Sequence, residues 1–146
     1  MQTDRIESTV VIAAPLERVW DLVTSPEHAG RWFGDAGAEI DLRPGGAWRM
    51  TFTGHGTYHG RVVAVSPPHR FAYRWHTVRD LEEEPTPANS TLTEFTLLAE
   101  TDGTRVTVVE SGFDALAVDA AERTRLLASH TSGWTAELGE LVAYAR

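Results

Sequence analysis

The chain has 146 residues, a formal net charge of −8 and no cysteine. That length supports one domain, residues 1–146, with a core of its own, and the missing thiol excludes disulfides, thiolate chemistry and cysteine metal sites. All thirteen basic residues are Arg. Lysine Schiff-base and P-loop chemistry are therefore excluded, while the acidic balance argues against nucleic acid and anionic membrane surfaces as partners.

The stretch MQTDRIESTVVIAAP has no basic segment followed by a long apolar run, so it does not read as a signal peptide. No segment approaches the roughly 20 apolar residues of a membrane span. A cytoplasmic location is the expectation.

Residues Arg5 to Ile12 alternate and are β-branched, which predicts a strand. Pro15 opens a short helix carrying Leu16, Val19, Trp20 and Val23 at helical spacing. Ser25-Pro26 ends it and starts a second helix running to about Phe33, with Ser25 as its expected N-cap. Short strands follow, separated by strong turn residues. They are predicted over Ala38–Leu42, Ala47–Thr53, Thr57–Val65 and Arg70–His76, and then, as a hairpin, Thr91–Ala99 and Thr104–Ser111. Between the fourth and fifth of these lies a polar loop containing Glu82-Glu83-Glu84, expected to be solvated or to act as a gate. The last segment, about Asp119 to Tyr144, lacks Pro and predicts one long helix. Its apolar stripe holds Leu127, His130, Thr131, Trp134, Leu138, Leu141 and Ala145, with Arg125, Ser129, Ser132, Ala136 and Glu140 on the other side.

The fold class is therefore α+β: a curved, seven-stranded antiparallel sheet around a long C-terminal helix, with two short helices after the first strand. Period-two alternation puts Trp48, Met50 and Phe52 on one face of their strand, and Phe71, Tyr73 and Trp75 on one face of theirs. It also turns Phe95, Leu97, Val106, Val108, Glu110, Tyr58 and Val62 inward, a bulge permitting. Arg49, Arg61, Arg74 and His76 are expected outward. Aromatic rings facing a curved sheet, with few polar groups, describe a small-molecule pocket.

An ordered set of short motifs carries a family resemblance across nearly the whole chain. It runs from Ile12-Ala13-Ala14-Pro15 with Val19-Trp20, through Arg31-Trp32-Phe33 and Asp41-Leu42-Arg43-Pro44-Gly45-Gly46, to Gly60-Arg61-Val62 and Pro67-Pro68. Phe71 to Trp75, Gly103-Thr104, Glu110-Ser111-Gly112-Phe113 and Gly133-Trp134 complete it. In these the chain resembles the AHSA-type (activator of heat-shock-protein ATPase homologue) proteins of the START/Bet v-like superfamily, also called SRPBCC. The resemblance implies a helix-grip fold with a cavity between sheet and helix. It implies no single activity, since the superfamily includes carriers, polyketide aromatases and cyclases, hydrolases and chaperone co-factors.

Two residues stand out for chemistry. His130, one turn before Trp134 on the buried stripe, places an imidazole in an apolar pocket. Glu110, turned inward by its parity, places a carboxylate next to the inward-facing aromatics. If the two face each other they form an acid–base pair able to enolise or dehydrate a carbonyl substrate. The expected ligand walls are Trp32, Phe33, Trp48, Met50, Tyr58, Phe71, Tyr73, Trp75, Phe95, Phe113, Leu127 and Trp134. A metal is not expected: His55 and His59 are four apart, roughly 13 Å on extended chain, and no metalloprotease helix motif is present. No cofactor motif is present either.

Three readings remain open on the sequence. The first is a binding domain for a small apolar, aromatic or polycyclic molecule. The second is a metal-free cyclase, aromatase or dehydratase using the same cavity. The third is an interaction module that modulates a chaperone ATPase.

Overall fold

The first strand, β1 (Arg5–Ile12), pairs not with its neighbour in sequence but with the last strand, β7 (Gly103–Ser111), in antiparallel register from Arg5↔Ser111 to Ile12↔Thr104. The computed structural model that shows this describes residues 4–146. Met1–Thr3, the start of the stretch read as lacking a signal sequence, lie outside the described residues. The remaining strands are β2 (Ala38–Ile40), β3 (Ala47–Phe52), β4 (Gly56–Ser66), β5 (Arg70–His76) and β6 (Ser90–Glu100). They give one seven-stranded antiparallel sheet in the order β1-β7-β6-β5-β4-β3-β2.

Two short helices, α1 (Leu16–Thr24) and α2 (Pro26–Trp32), follow β1, and α3 (Ala120–Tyr144) closes the fold. This is the expected helix-grip architecture. Asp119 caps α3, its side chain accepting from the Glu122 N–H at 2.8 Å. Ser25 stands at the N-cap of α2, but its hydroxyl makes no capping bond.

Parity places most side chains as expected, and the exceptions have local causes. A bulge between Val62 and Ala64 exposes Val63 and turns Val65 onto the core. On α3 the buried row is Leu126, Trp134, Leu138 and Leu141, with His130 in line. Leu127 is only half-buried and Thr131 is exposed, its hydroxyl donating back to the Leu127 carbonyl. The stripe is thus rotated toward Leu126, one residue away from the expected edge.

His76 departs most. Parity expects it on the outer face, yet it is fully buried. The loop over 78–89 folds over it: Nε2 lies 2.7 Å from the Glu83 carbonyl, and Nδ1 3.3 Å from that of Asn89. The acidic run is therefore fastened to the outer side of the sheet, with Glu84 paired to Arg61 at 3.2 Å. It does not border the cleft described below.

Close strand packing needs one particular glycine. A Cβ on Gly60 of β4 would stand 2.2 Å from the Arg74 carbonyl of β5, so any side chain there would part the strands that carry Tyr58 and Trp75.

Candidate functional site

The polar centre of the interior is Glu110, fully buried near the end of β7. Its carboxylate is met by three side chains from two elements. Trp134 Nε1 of α3 donates to Oε1 at 2.8 Å, Thr91 Oγ1 of β6 donates to Oε2 at 2.5 Å, and His130 Nδ1 lies 2.9 Å from both oxygens. Trp134 and Thr91 both donate to it, and His130 does so in its Nδ1–H tautomer, so the group serves as an acceptor toward all three neighbours. A buried charge is tolerated when it is paired and hydrogen-bonded in this way.

Two aromatic rings pack against the His130 imidazole. The Phe113 ring meets it edge-on at 5.6 Å, and the Trp75 ring lies tilted at the same distance. Its side chain is 17% exposed. Giving Nδ1–H to Glu110 leaves the lone pair of the neutral imidazole on Nε2. Nε2 has no hydrogen-bond partner among the described residues.

His130 borders a cleft of about 200 Å³. Phe33 comes from the end of α2, Phe52, His55 and Tyr58 from the β3–β4 hairpin, and Trp75 from β5. Ser129, Gly133, Trp134 and Glu137 of α3 complete the wall. Phe33 stacks on Trp134 with centroids 5.2 Å apart, fixing both rings. A Cβ built on Gly133 meets nothing within 4 Å, so the helix leaves this part of the cleft open.

Five expected residues thus meet at the cleft: Phe33, Tyr58, Trp75, His130 and Trp134. The others do not reach it. Trp48, Met50, Phe71, Tyr73, Phe95 and Phe113 are buried in the packed core, where Trp48 stacks on Tyr73 at 4.3 Å and Phe71 and Phe95 pack beside them. Trp32 is also buried, its indole N–H donating to the Leu22 carbonyl at 2.7 Å and so tying α2 to α1. Leu127 packs at the core margin. The rings expected to line a deep cavity instead fill it, and the open space lies at one end of the sheet.

The Tyr73 hydroxyl is buried without a hydrogen-bond partner. Burial, and then the Glu110 carboxylate, push its phenol well above the usual range. Thr93 is nearby, but its hydroxyl accepts from Trp75 Nε1 at 2.9 Å.

Five further residues at the cleft were not among the expected walls: Phe52, His55, Ser129, Gly133 and Glu137. Parity had put Phe52 on the inner face with Met50. Glu137 lies seven residues after His130, two helical turns along the same side, so the helical stripe contained the clue. Burial first, then the Glu140 and Asp35 charges, push the Glu137 carboxyl up to about 7. Ser129, expected on the far side of α3, sits at the cleft rim because the stripe is rotated. His55 lines this cleft, whereas His59 lies beside Arg49 and Arg61. No group of three or more potential metal ligands occurs among the described residues.

The three arginines stay out of the cleft. Arg49 pairs with Glu39 at 2.6 Å and Arg61 with Glu84, both on the exposed face. Arg74, expected to be solvated, is half-buried and donates to the Ser90 carbonyl and hydroxyl at 3.1 Å; burial pulls its pKa down. None of the helices among the described residues is long and apolar enough to cross a membrane.

Comparison with known proteins agrees with the fold. The family model described as "Activator of Hsp90 ATPase homolog 1-like protein" matches residues 13–146. A Streptomyces halstedii protein named "Putative polyketide cyclase" is 44% identical over 57 residues, 38% of this chain and 52% of that protein. Among solved structures, DynU16, a protein of the dynemicin biosynthetic locus, superposes with a TM-score of 0.74 at 24% identity, over 97% of this chain and 46% of its own. Protein MLL2253 from Mesorhizobium loti superposes with a TM-score of 0.77 at 19% identity, over 96% of this chain and 95% of its own. The chain therefore spans about half the length of the first two of these relatives, and at these identities the solved structures establish the fold alone.

Proposed function

This chain belongs to the Activator of Hsp90 ATPase homolog 1-like family, within the START/Bet v-like superfamily, and from that premise we propose that its cleft binds a small, largely apolar, aromatic or polycyclic molecule on which the His130–Glu110 pair moves protons. One observation carries the reading. A fully buried carboxylate orients a partly exposed imidazole at the edge of an aromatic cleft, through a 2.9 Å bond.

The chemistry follows from that arrangement. Glu110 accepts from Nδ1–H and so presents the basic Nε2 lone pair to a bound molecule. Nε2 takes a proton from a carbon next to a carbonyl, and Glu110 stabilises the imidazolium that forms. The enolate then either attacks a second carbonyl of the same molecule, closing a ring while that carbonyl's oxygen takes the proton back from His130 and becomes a hydroxyl, or expels a hydroxyl that leaves as water with the proton from His130. Both outcomes belong to cyclase and dehydratase chemistry. The name of the Streptomyces halstedii relative is in keeping with them. The chaperone-module reading rests on the description of the family model alone.

Trp75 and Trp134 in the cleft wall make the binding half measurable. Titrating the protein with neutral aromatic and polycyclic ketones is expected to change tryptophan fluorescence and raise the melting temperature. Gly133→Leu, which fills the open part of the cleft, is expected to abolish both effects while leaving the circular dichroism spectrum unchanged. Binding that survives Gly133→Leu would place the ligand elsewhere.

A further inference from the structure

We propose that Glu137 is the specificity-determining residue of the cleft, and that the ligand it selects carries a cationic nitrogen, a quaternary or protonated amine, on its aromatic body. The proposal rests on the reading of the cleft as a ligand site and names the class of ligand.

Two carboxylates, Glu110 behind His130 and Glu137 on the cleft wall, are treated differently by the fold. Glu110 is surrounded by three donors. Glu137 makes no hydrogen bond and no ion pair with any described residue, although it is half-buried and lines the cleft. Its surroundings lack the positive charge that such a group calls for. No arginine lines the cleft. Arg125, the one whose charge reaches Tyr58, is paired to Glu122 at 2.5 Å. The other titratable groups on the cleft wall are His55, Tyr58 and His130. The charges that act on Glu137 are Glu140 and Asp35, both negative.

The remaining wall suits the same ligand class. Phe33, Phe52, Tyr58, Trp75 and Trp134 present ring faces and edges, and the negative face of an aromatic ring attracts a desolvated cation. A carboxylate set among aromatic rings, with negative charge beyond it, favours a cation and repels an anion. The elevated proton affinity of Glu137 describes the same deficit: the site lacks a counter-charge, which a proton supplies at low pH and a cationic ligand supplies above it. Gly133 leaves the space between Glu137 and His130 open. A ligand lying along α3 thus reaches Glu137 with one end while the other lies at His130, about 10.5 Å further up the helix axis.

Three probes that share a benzyl group test this: benzyltrimethylammonium, its uncharged carbon isostere neopentylbenzene, and the anion phenylacetate. Each is titrated by tryptophan fluorescence against the wild type and Glu137→Gln, at pH 8 and pH 5.5. At pH 8 the cation is expected to bind at least tenfold more tightly than its neutral isostere, and phenylacetate more weakly than either. At pH 5.5 the cation preference is expected to fall at least fivefold. In Glu137→Gln it is expected to be lost at pH 8, and any pH effect left in that variant belongs to His55 and His130. Equal binding of cation and isostere, a preference for phenylacetate, or a cation preference kept by Glu137→Gln would each overturn the proposal. If none of the three binds while the neutral ketones do, this proposal alone fails. If the ketones fail as well, the ligand-site reading fails with it.

Discussion

The indole N–H of Trp134 meets the Glu110 carboxylate at 2.8 Å, joining the middle of α3 to the end of β7 inside an otherwise apolar contact. His130, one turn earlier, joins the same carboxylate. Helix and sheet are therefore held in one register by a single charged group, and the imidazole at the cleft is aimed by the bond that also docks the helix. Fold and candidate chemistry share this residue.

Removing that group is expected to cost stability before anything else. Glu110→Ala leaves the Trp134 indole and the Thr91 hydroxyl without their acceptor and His130 without its anchor, and should destabilise the protein by about 3–5 kcal/mol. Glu110→Gln keeps an acceptor oxygen and should cost less. Urea denaturation followed by tryptophan fluorescence measures both. Equal, small losses in the two variants would mean that the buried network does not hold the helix.

The opposite sign is expected at Gly133. Glycine within a helix is about 1 kcal/mol less favourable than alanine, and a Cβ here meets nothing within 4 Å. Gly133→Ala should therefore raise stability by up to about 1 kcal/mol while narrowing the cleft. A higher melting temperature combined with weaker ketone binding would identify a position where open space is kept at the expense of helix stability.

Glu137 makes a pH prediction whose sign differs from that of most carboxylates. Its pKa is raised in the folded state to about 7, above the usual value near 4.3 of an unfolded chain. Between those values the folded state binds more protons than the unfolded one, so stability declines as pH rises through that window. Glu137→Gln should flatten this part of the curve and be relatively more stable at pH 8 than at pH 5. Chemical denaturation across pH 4.5–8 checks it, and parallel curves for the two proteins would contradict it.

The sequence made the scaffold readable because alternation and turn residues are local. The strands over Arg5–Ile12 and Arg70–His76 are observed with the expected bounds, and the other expected elements differ only at their ends. Parity alone turned Glu110 inward, and helical spacing put His130 on the buried stripe. Their mutual distance depends on how α3 lies across β7, which no local pattern encodes. The pocket was the hardest part to read. Parity tells which rings face inward, but whether Trp48 and Tyr73 line a space or stack on each other depends on sheet curvature. His76 escaped for a similar reason, since the outer face of β5 is covered only because a distant loop returns over it. Glu137 was reachable by counting seven residues from His130, but its position at the cleft required the rotation of the helix stripe toward Leu126.

The proton-transfer claim is tested most directly by solvent-deuterium exchange. Benzoylacetone, an aryl diketone with acidic protons between its carbonyls, is incubated with the protein in D2O at a concentration shown by tryptophan fluorescence to fill the cleft, and loss of the proton signal is followed by NMR. The wild type is expected to accelerate exchange over buffer, and His130→Ala to lose on the order of 100-fold of that acceleration. Exchange at the buffer rate with the ligand bound, or an acceleration undiminished in His130→Ala, would contradict the assignment of His130 and Glu110 as the proton-transfer pair.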